Sequence, residues 1–270
     1  VVESIETSAA HLELIADMKR LNSLFCSAAY PALEGPGGNK ARQLEYYFGA
    51  ALAEDADTVL ITGAVQSNFV RQCAAAARKL GLDCEIQLEN RVGGMPEGQE
   101  KVGNYLLDRL LGVKVHHFPI GEDEAAADAN LEAIAAGIRA RGGRPYVIHL
   151  GAEHAPLGAL GYVDCAREII ADVDRLGLAL GAIVTASGSA ITHTGLLTGL
   201  RLFGNEAPVF GVCVRRKSDI QSPRVLKRCR DLEAMLGAGA VVADSDVWTS
   251  DAYLAGGYGK AGTETLAAIE

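Results

Sequence analysis

Short β-branched apolar runs alternate with alanine-rich amphipathic runs, and this alternation constrains the fold more than any other feature of the sequence. The runs predict strands at residues 58–63, 84–88, 113–118, 145–149, 181–186, 209–214 and 239–242. The segments between them predict helices at residues 66–80, 100–111, 123–141, 157–173, 192–203 and 223–237. Because single helices join successive strands, the strands must be parallel and covered on both faces. The sequence therefore predicts an α/β protein.

Ligands bind at the carboxyl ends of the strands in parallel sheets. The turns that follow Thr62 and Thr185 are rich in small residues and come directly after two predicted strands. We therefore expect the functional site to form around these two turns.

The composition limits the partners of the chain. It has 270 residues, of which 49% are hydrophobic and 22% are charged, and its formal net charge is −9. We expect neither nucleic acid nor an anionic membrane as a partner, since both require a basic face. No apolar run reaches the roughly 18 residues of a membrane span, and the N-terminus shows no leader pattern. These features predict a cytoplasmic protein.

The six cysteines are scattered, with no C-x-x-C pair and no spacing typical of a metal site. Most of them lie in apolar segments, which is typical of reduced, buried thiols. The cysteine pattern therefore predicts neither a disulfide framework nor a bound metal.

Lys40 follows Gly37, Gly38 and Asn39 and precedes an alanine-rich helical stretch over residues 41–53. Glycines allow the backbone to pass close to a bulky ligand, so the amine can be held against a planar cofactor. A lysine that forms a Schiff base needs this placement. A solvated surface lysine has the same local pattern, so Lys40 alone does not decide between the two interpretations.

The segment after the first strand places Gln66, Ser67, Asn68 and Phe69 at the start of a helix. Free backbone N–H groups and the helix dipole favour an anion there, such as a substrate carboxylate. Ser67 and Asn68 are also common capping residues, so an ordinary helix cap explains the segment equally well.

A second segment of small and hydroxyl-bearing residues, 187–192, follows a strand and opens a helix; we call it the cradle. It consists of Ser187, Gly188, Ser189, Ala190, Ile191 and Thr192. Backbone N–H groups at such a helix start can hold a phosphate. The segment lacks the lysine of a P-loop and the G-x-G-x-x-G pattern, which argues against nucleotide hydrolysis and nicotinamide binding.

A lysine, a carboxylate site and a phosphate site are together what a pyridoxal phosphate enzyme must supply. The chain resembles the fold-type II pyridoxal phosphate enzymes (tryptophan synthase β-like), in the branch of 1-aminocyclopropane-1-carboxylate deaminase and D-cysteine desulfhydrase. The similar segments are residues 37–45, 66–72, 156–162, 187–190 and 257–259, in the family's order. The resemblance implies two parallel-sheet α/β/α domains: a smaller one at 43–154, and a larger, cofactor-binding one at 1–42 and 155–270.

The resemblance assigns roles to particular residues. Lys40 would carry the cofactor and act as the base, with Ser67 and Tyr258 as further catalytic residues. Asn68 and residues 187–192 would bind the cofactor. The substrate would be bound by Gln66, Ser67, Asn68, Phe69 and His154. It also implies a homodimer that acts on a small amino acid.

The sequence departs from the family pattern at four places. Phe69 stands where desulfhydrases often have His, and Ile191 where the cradle usually has Gly, so we expect the cradle backbone to differ locally. Residues 27–33 replace an Arg-Asp-Asp run. The chain ends at Glu270, before the segment that holds the partner of the pyridine nitrogen, and we expect it to be incomplete.

The resemblance implies β-elimination of a sulfur leaving group from D-cysteine or L-cysteate, to give pyruvate, ammonia and sulfide or sulfite. A sulfonate would be held by hydroxyl, His154 and backbone donors without a dedicated arginine. The alternatives are ring opening of 1-aminocyclopropane-1-carboxylate, a racemase or dehydratase on the same fold, and a non-catalytic protein that binds pyridoxal phosphate.

Overall fold

The computed structural model describes residues 39–92, 102–121, 123–254, 256–260 and 262–269. Two segments considered above lie outside the described residues: Gly37 and Gly38, and residues 27–33.

The first sheet has four parallel strands in the order β3-β2-β1-β4. They are β1 (Thr58–Ala64), β2 (Asp83–Glu89), β3 (Lys114–Phe118) and β4 (Pro145–Ile148). Every residue of β1 is buried, as expected of a central strand that is covered on both faces.

The second sheet has three parallel strands in the order β5-β6-β7. They are β5 (Ile183–Ser187), β6 (Val209–Cys213) and β7 (Trp248–Ser250). All strand pairings in both sheets are parallel, which confirms the predicted fold class.

Eight helices are described: α1 (Ala41–Ala53), α2 (Asn68–Leu80), α3 (Gly103–Leu110), α4 (Glu124–Ala140), α5 (Leu160–Arg175), α6 (Ile191–Leu202), α7 (Ser218–Met235) and α8 (Thr263–Ala267). Two short 3₁₀ turns, Leu157–Ala159 and Asp244–Asp246, complete the described secondary structure. Among the described residues, no helix is long and apolar enough to cross a membrane.

Each sheet has its own hydrophobic core. Residues of α1, α2 and the first sheet form one core, and residues of α5, α6, α7 and the second sheet form the other. The division into domains at 43–154 and 155–270 stays a prediction. The five described cysteines are all free.

Two glycines allow α5 to pack closely against its neighbours. A Cβ added at Gly161 would lie 2.0 Å from the carbonyl oxygen of Arg42, near the start of α1. A Cβ at Gly195, in α6, would lie 2.3 Å from the carbonyl oxygen of Ala159. Both distances are shorter than any real contact, so these helices approach each other only because side chains are missing there.

The predicted strand at 239–242 is wrong. The backbone N–H groups of Val241 and Val242 instead donate to Oε1 of Glu233, at 2.9 and 2.8 Å, which leaves them no strand partner. The third strand of the sheet is β7, which pairs with β6. The predicted helix at 223–237 begins earlier, at Ser218, whose N–H donates to Oδ2 of Asp251 at 2.9 Å.

Candidate active site

A cavity of about 320 Å³ lies where the carboxyl ends of the two sheets meet. The end of β1 contributes Gly63 to its wall, and β5 contributes Thr185 and Ala186. The residues that follow other strands complete that part of the wall: Arg91, Glu124, Leu150, Val214 and Arg215. The rest of the lining is Asn39, Lys40, Ser67, Phe69, Gly188, Ser189, Ala190, Thr192 and Tyr258. The cavity therefore occupies the position where parallel-sheet proteins bind their ligands.

Lys40 lies in the wall of this cavity, immediately before α1. Burial disfavours its ammonium form and lowers the pKa of the amine. No hydrogen bond or ion pair of its side chain is found among the described residues. A buried amine of lowered pKa is suited to covalent attachment of a carbonyl compound and to proton transfer.

The backbone on both sides of Lys40 is held by α5. The hydroxyl of Tyr162 donates to the carbonyl oxygen of Asn39 at 2.7 Å. The guanidinium of Arg42 binds both carboxylate oxygens of Glu168, at 3.1 and 2.6 Å. Together with the close approach at Gly161, these contacts fix the start of α1 and so the direction of the lysine. Gly161 and Tyr162 belong to the segment at 156–162, so this segment helps to hold the backbone around Lys40.

The cradle forms the opposite part of the wall at the start of α6. The first N–H groups of a helix have no acceptor within it, and Ala190, the residue before α6, has no polar side chain to cap them. Ala190 adopts a left-handed conformation, with φ of 77°, that favours glycine. Ile191 begins the helix instead. In this chain the left-handed residue of the cradle is thus Ala190 and not Ile191.

The side chains of the cradle do not all face the cavity. The Ser187 hydroxyl, predicted to bind the cofactor, is buried beneath it: its Oγ accepts from Nε2 of Gln221 at 2.9 Å and lies 3.3 Å from Nδ1 of His193. Ile191 is buried in the core and is absent from the wall. Thr192 lines the cavity, with its Oγ1 accepting from Nε2 of Gln43 at 3.0 Å. Thr192, Gly188, Ser189 and Ala190 are thus the cradle residues available to a ligand.

The Ser67 segment divides between the cavity and its surroundings. Ser67 and Phe69 line the cavity, and Ser67 Oγ also caps α2 by accepting from the N–H of Val70 at 3.3 Å. Gln66 and Asn68 are absent from the wall. The amide of Asn104 donates to Asn68 Oδ1 at 2.9 Å and to the Gln66 carbonyl at 2.8 Å. The structure therefore brings Ser67 and Phe69 to the site but directs Gln66 and Asn68 towards α3.

His154 is not among the residues that line the cavity, and its predicted contact with substrate stays a prediction. Its ring instead stacks on His149, with centroids 3.8 Å apart, and its Nε2 lies 3.2 Å from Oδ2 of Asp128. The contact with Asp128, which lies in α4, holds the His154 ring outside the cavity wall.

Tyr258 does line the cavity. It lies between Gly257 and Gly259, whose φ angles of 105° and 74° are accessible to few other residues. These glycines turn the chain so that the tyrosine faces Lys40 and the cradle across one cavity.

Sequence reasoning missed the charged part of the wall. Arg91 binds both oxygens of the buried Glu89 at 2.8 Å. Glu124 binds three arginines: Arg224 at 3.0 Å, Arg215 at 3.3 Å and Arg216 at closer range. Burial opposes ionisation of Glu124, but the three guanidinium groups outweigh it and lower the pKa of this carboxyl.

Three arginines converge on one carboxylate at the cavity, although the whole chain is acidic. Arg91 and Arg215 both line the cavity, and whether a sulfonate would be held without a dedicated arginine stays a prediction. Arg91, Glu124 and Arg215 all follow strands, so the carboxyl-end rule could have indicated them.

The residues of the cavity fit pyridoxal phosphate. Lys40 supplies a buried amine of lowered pKa, and the start of α6 supplies uncapped N–H groups for a phosphate. Gly188 lines the cavity beside Val214, since a Cβ there would meet Val214 Cγ2 at 3.0 Å. This combination defines the site of a pyridoxal phosphate enzyme of the parallel-sheet type.

Comparison with known proteins agrees with this assignment. The family model "Pyridoxal-phosphate dependent enzyme" matches residues 32–270, so the chain belongs to this family of enzymes, which use pyridoxal phosphate.

Among its curated relatives is D-cysteine desulfhydrase of Yersinia enterocolitica, 42% identical over 86% of this chain and 68% of the relative. D-cysteine desulfhydrase of Salmonella paratyphi A is 42% identical over 83% of this chain and 66% of its own. The chain thus spans about two thirds of the length of these relatives.

Solved structures show the same fold. An ACC deaminase homologue superposes with a TM-score of 0.71 at 33% identity, covering 83% of this chain and 64% of its own. A hydrogen sulfide-producing enzyme from Fusobacterium nucleatum superposes with a TM-score of 0.51 at 15% identity, covering 68% of this chain and 52% of its own. At that identity, the second likeness concerns the fold alone.

Proposed function

We propose that this protein catalyses β-elimination of a sulfur leaving group from a small amino acid, with D-cysteine as the first candidate substrate. The observation that carries the proposal is the convergence of Lys40, Ser67, Tyr258 and the cradle on one cavity. The identity to D-cysteine desulfhydrases over most of the chain supports the choice of substrate.

Lys40 is assigned two tasks. It would anchor pyridoxal phosphate, and its amine, whose pKa is lowered by burial, would accept the α-proton of the substrate. When bound, pyridoxal phosphate supplies an electron sink for the charge left on the α-carbon. The cradle residues Gly188, Ser189, Ala190 and Thr192 would hold the phosphate through the N–H groups at the start of α6.

Ser67 and the start of α2 would hold the substrate carboxylate. The Ser67 hydroxyl already faces the cavity, and the helix dipole favours an anion there. Phe69 lies beside this position and excludes water from it. Tyr258, which lines the same cavity, would give a proton to the departing sulfur. D-Cysteine and one water would then yield pyruvate, ammonia and hydrogen sulfide.

The two arginines in the cavity wall give a reason to test L-cysteate as well. Its sulfonate leaving group is an anion, and Arg91 and Arg215 supply guanidinium groups in the wall. Both arginines are already paired with carboxylates, so they offer a sulfonate less than free cations would. We therefore rank D-cysteine ahead of L-cysteate.

The test is a substrate panel with the purified, cofactor-loaded protein. D-Cysteine, L-cysteine, L-cysteate and 1-aminocyclopropane-1-carboxylate are each incubated, and sulfide, sulfite, ammonia and keto acid are measured, with Lys40→Ala as the blank. We expect sulfide and pyruvate from D-cysteine at the highest rate. Faster 2-oxobutyrate formation from 1-aminocyclopropane-1-carboxylate would reject the named reaction, and inversion of cysteine without pyruvate would indicate a racemase.

The cellular setting and assembly belong to the same proposal. Free cysteines, as found at all five described positions, are typical of a reducing compartment, which supports a cytoplasmic location. We expect a homodimer, as the family resemblance implies, and sedimentation of the purified protein measures it.

A further inference from the structure

Three side chains with metal-binding atoms converge outside the cavity. Asp128 lies in α4, His149 directly follows β4, and His154 lies five residues further in the loop that leads towards α5. One ligand atom of each lies within 4.8 Å of those of the other two. None of the three lines the cavity, so they have no place in the proposed reaction.

Each imidazole has one nitrogen near a different oxygen of the Asp128 carboxylate. Oδ1 of Asp128 lies 3.3 Å from Nδ1 of His149, and its Oδ2 lies 3.2 Å from Nε2 of His154. Two ligand atoms, each about 2.1 Å from a tetrahedral zinc ion, are about 3.4 Å apart. Nδ1 of His149 is also buried without a well-directed hydrogen bond, which is unusual for an imidazole nitrogen unless it serves another ligand.

A second carboxylate orients His149. Oε1 of Glu132, one helical turn after Asp128, lies 3.0 Å from Nε2 of His149. With Nε2 directed at Glu132, Nδ1 is the ring nitrogen that faces Asp128. A carboxylate that holds the outer nitrogen of a histidine in this way is common behind metal ligands.

The loop that carries the two histidines is fixed by α7. The guanidinium of Arg228 donates to the carbonyl oxygens of Leu150 and Gly151, both at 2.9 Å. The ammonium of Lys227 donates to the carbonyl oxygen of Ala152 at 2.9 Å. A Cβ at Gly151 would lie only 2.4 Å from Oδ2 of Asp128, so the loop and α4 are in close contact. The backbone of the site is therefore held in place.

We propose that Asp128, His149 and His154 bind one divalent transition-metal ion, with zinc as the best match. Two imidazoles and one carboxylate favour zinc, cobalt or nickel over magnesium or calcium, which prefer oxygen ligands throughout. The two rings are nearly parallel, at 6°, so the half-exposed His154 must rotate to point Nε2 at an ion shared with His149. Such an ion would join α4 to the loop between the two sheets.

The test measures metal binding directly, without using activity. The cofactor-loaded protein is stripped with a chelator, dialysed and titrated with zinc chloride, and the bound metal is counted by elemental mass spectrometry. We expect one zinc per chain and a rise in the melting temperature of the zinc-loaded protein. His154→Gln and Asp128→Asn should each weaken zinc binding by at least about 100-fold, and Glu132→Gln by about 10- to 100-fold.

Two controls separate this site from other zinc binding. His117→Gln alters an exposed histidine elsewhere on the surface and should leave the affinity unchanged. Cobalt in place of zinc should show visible bands of a nitrogen and oxygen site, without the charge-transfer band of a cysteine thiolate. Circular dichroism establishes that each variant is folded. No bound zinc, or equal affinity in wild-type protein and His154→Gln, would overturn the proposal in favour of a histidine pair held by hydrogen bonds.

Discussion

His193 is expected to make stability strongly dependent on pH in the acid range. It lies in α6 directly after the cradle and is fully buried, with its Nδ1 3.3 Å from Ser187 Oγ. Burial disfavours the imidazolium and lowers the pKa of His193 from 6.5 to about 4. The neutral ring therefore packs beside Ser187, which is the last residue of β5 and the first of the cradle.

The sign and size of the effect follow from these two pKa values. Because the folded pKa is below the unfolded one, the stability is complete above pH 6.5 and is lost as the pH falls towards 4. Linkage gives a loss of about 2 kcal/mol between pH 7 and pH 5, out of a total of about 3 kcal/mol.

The assay compares wild-type protein with His193→Gln by urea unfolding at both pH values. Other titrating groups contribute equally to the two proteins, so the variant should lose about 2 kcal/mol less than the wild type between pH 7 and pH 5. His117→Gln, at an exposed position, should behave as the wild type. Equal losses in wild type and His193→Gln would refute the account of His193 as a neutral buried group.

Three further substitutions test separate parts of the structure. Asp108 is fully buried, neither carboxylate oxygen has a partner in the described part of the chain, and burial raises the pKa of this carboxyl to about 7. The stability that the neutral carboxyl contributes is lost as the pH rises. Between pH 5 and pH 8, Asp108→Asn should therefore lose about 2–3 kcal/mol less free energy of unfolding than the wild type, measured by urea unfolding. Ser67→Ala should lower turnover and substrate affinity together, and it should cost about 1 kcal/mol of stability because the helix cap is lost. Ser67→Asn should keep the cap and still lose activity. Full activity in Ser67→Asn would show that the hydroxyl has no part in the mechanism. Gly188→Asp should weaken binding of pyridoxal phosphate by repelling the phosphate, with Gly188→Ala as the milder control, and unchanged affinity measured by fluorescence titration would reject the cradle.

The fold could be predicted because its signals are local. The predicted helix at residues 41–53 agrees with α1 at Ala41–Ala53, since the alanine-rich periodicity of that segment determines the helix without help from distant residues. The prediction of a strand at 239–242 was wrong because the outcome depends on a residue outside that segment. The backbone N–H groups of Val241 and Val242 donate to the Glu233 side chain and so are not available to a neighbouring strand.

The site was predictable to the same extent. Lys40, Ser67, Tyr258 and most of the cradle belong to motifs with a fixed local pattern, and all of them reach the cavity. The charged wall depends on pairs such as Arg215 and Glu124, which are 91 residues apart and meet only through the fold. The contact between His154 and Asp128 could not be predicted for the same reason, since Asp128 lies on another element.

The covalent attachment point of pyridoxal phosphate tests the central claim most directly. The loaded protein is reduced with borohydride, digested and analysed by peptide mass spectrometry, alongside Lys40→Ala and the exposed-lysine control Lys79→Ala. We expect the cofactor on Lys40 in wild type and in Lys79→Ala, and neither attachment nor sulfide production from D-cysteine in Lys40→Ala. Attachment to another lysine, or sulfide production at the wild-type rate by Lys40→Ala, would contradict the account.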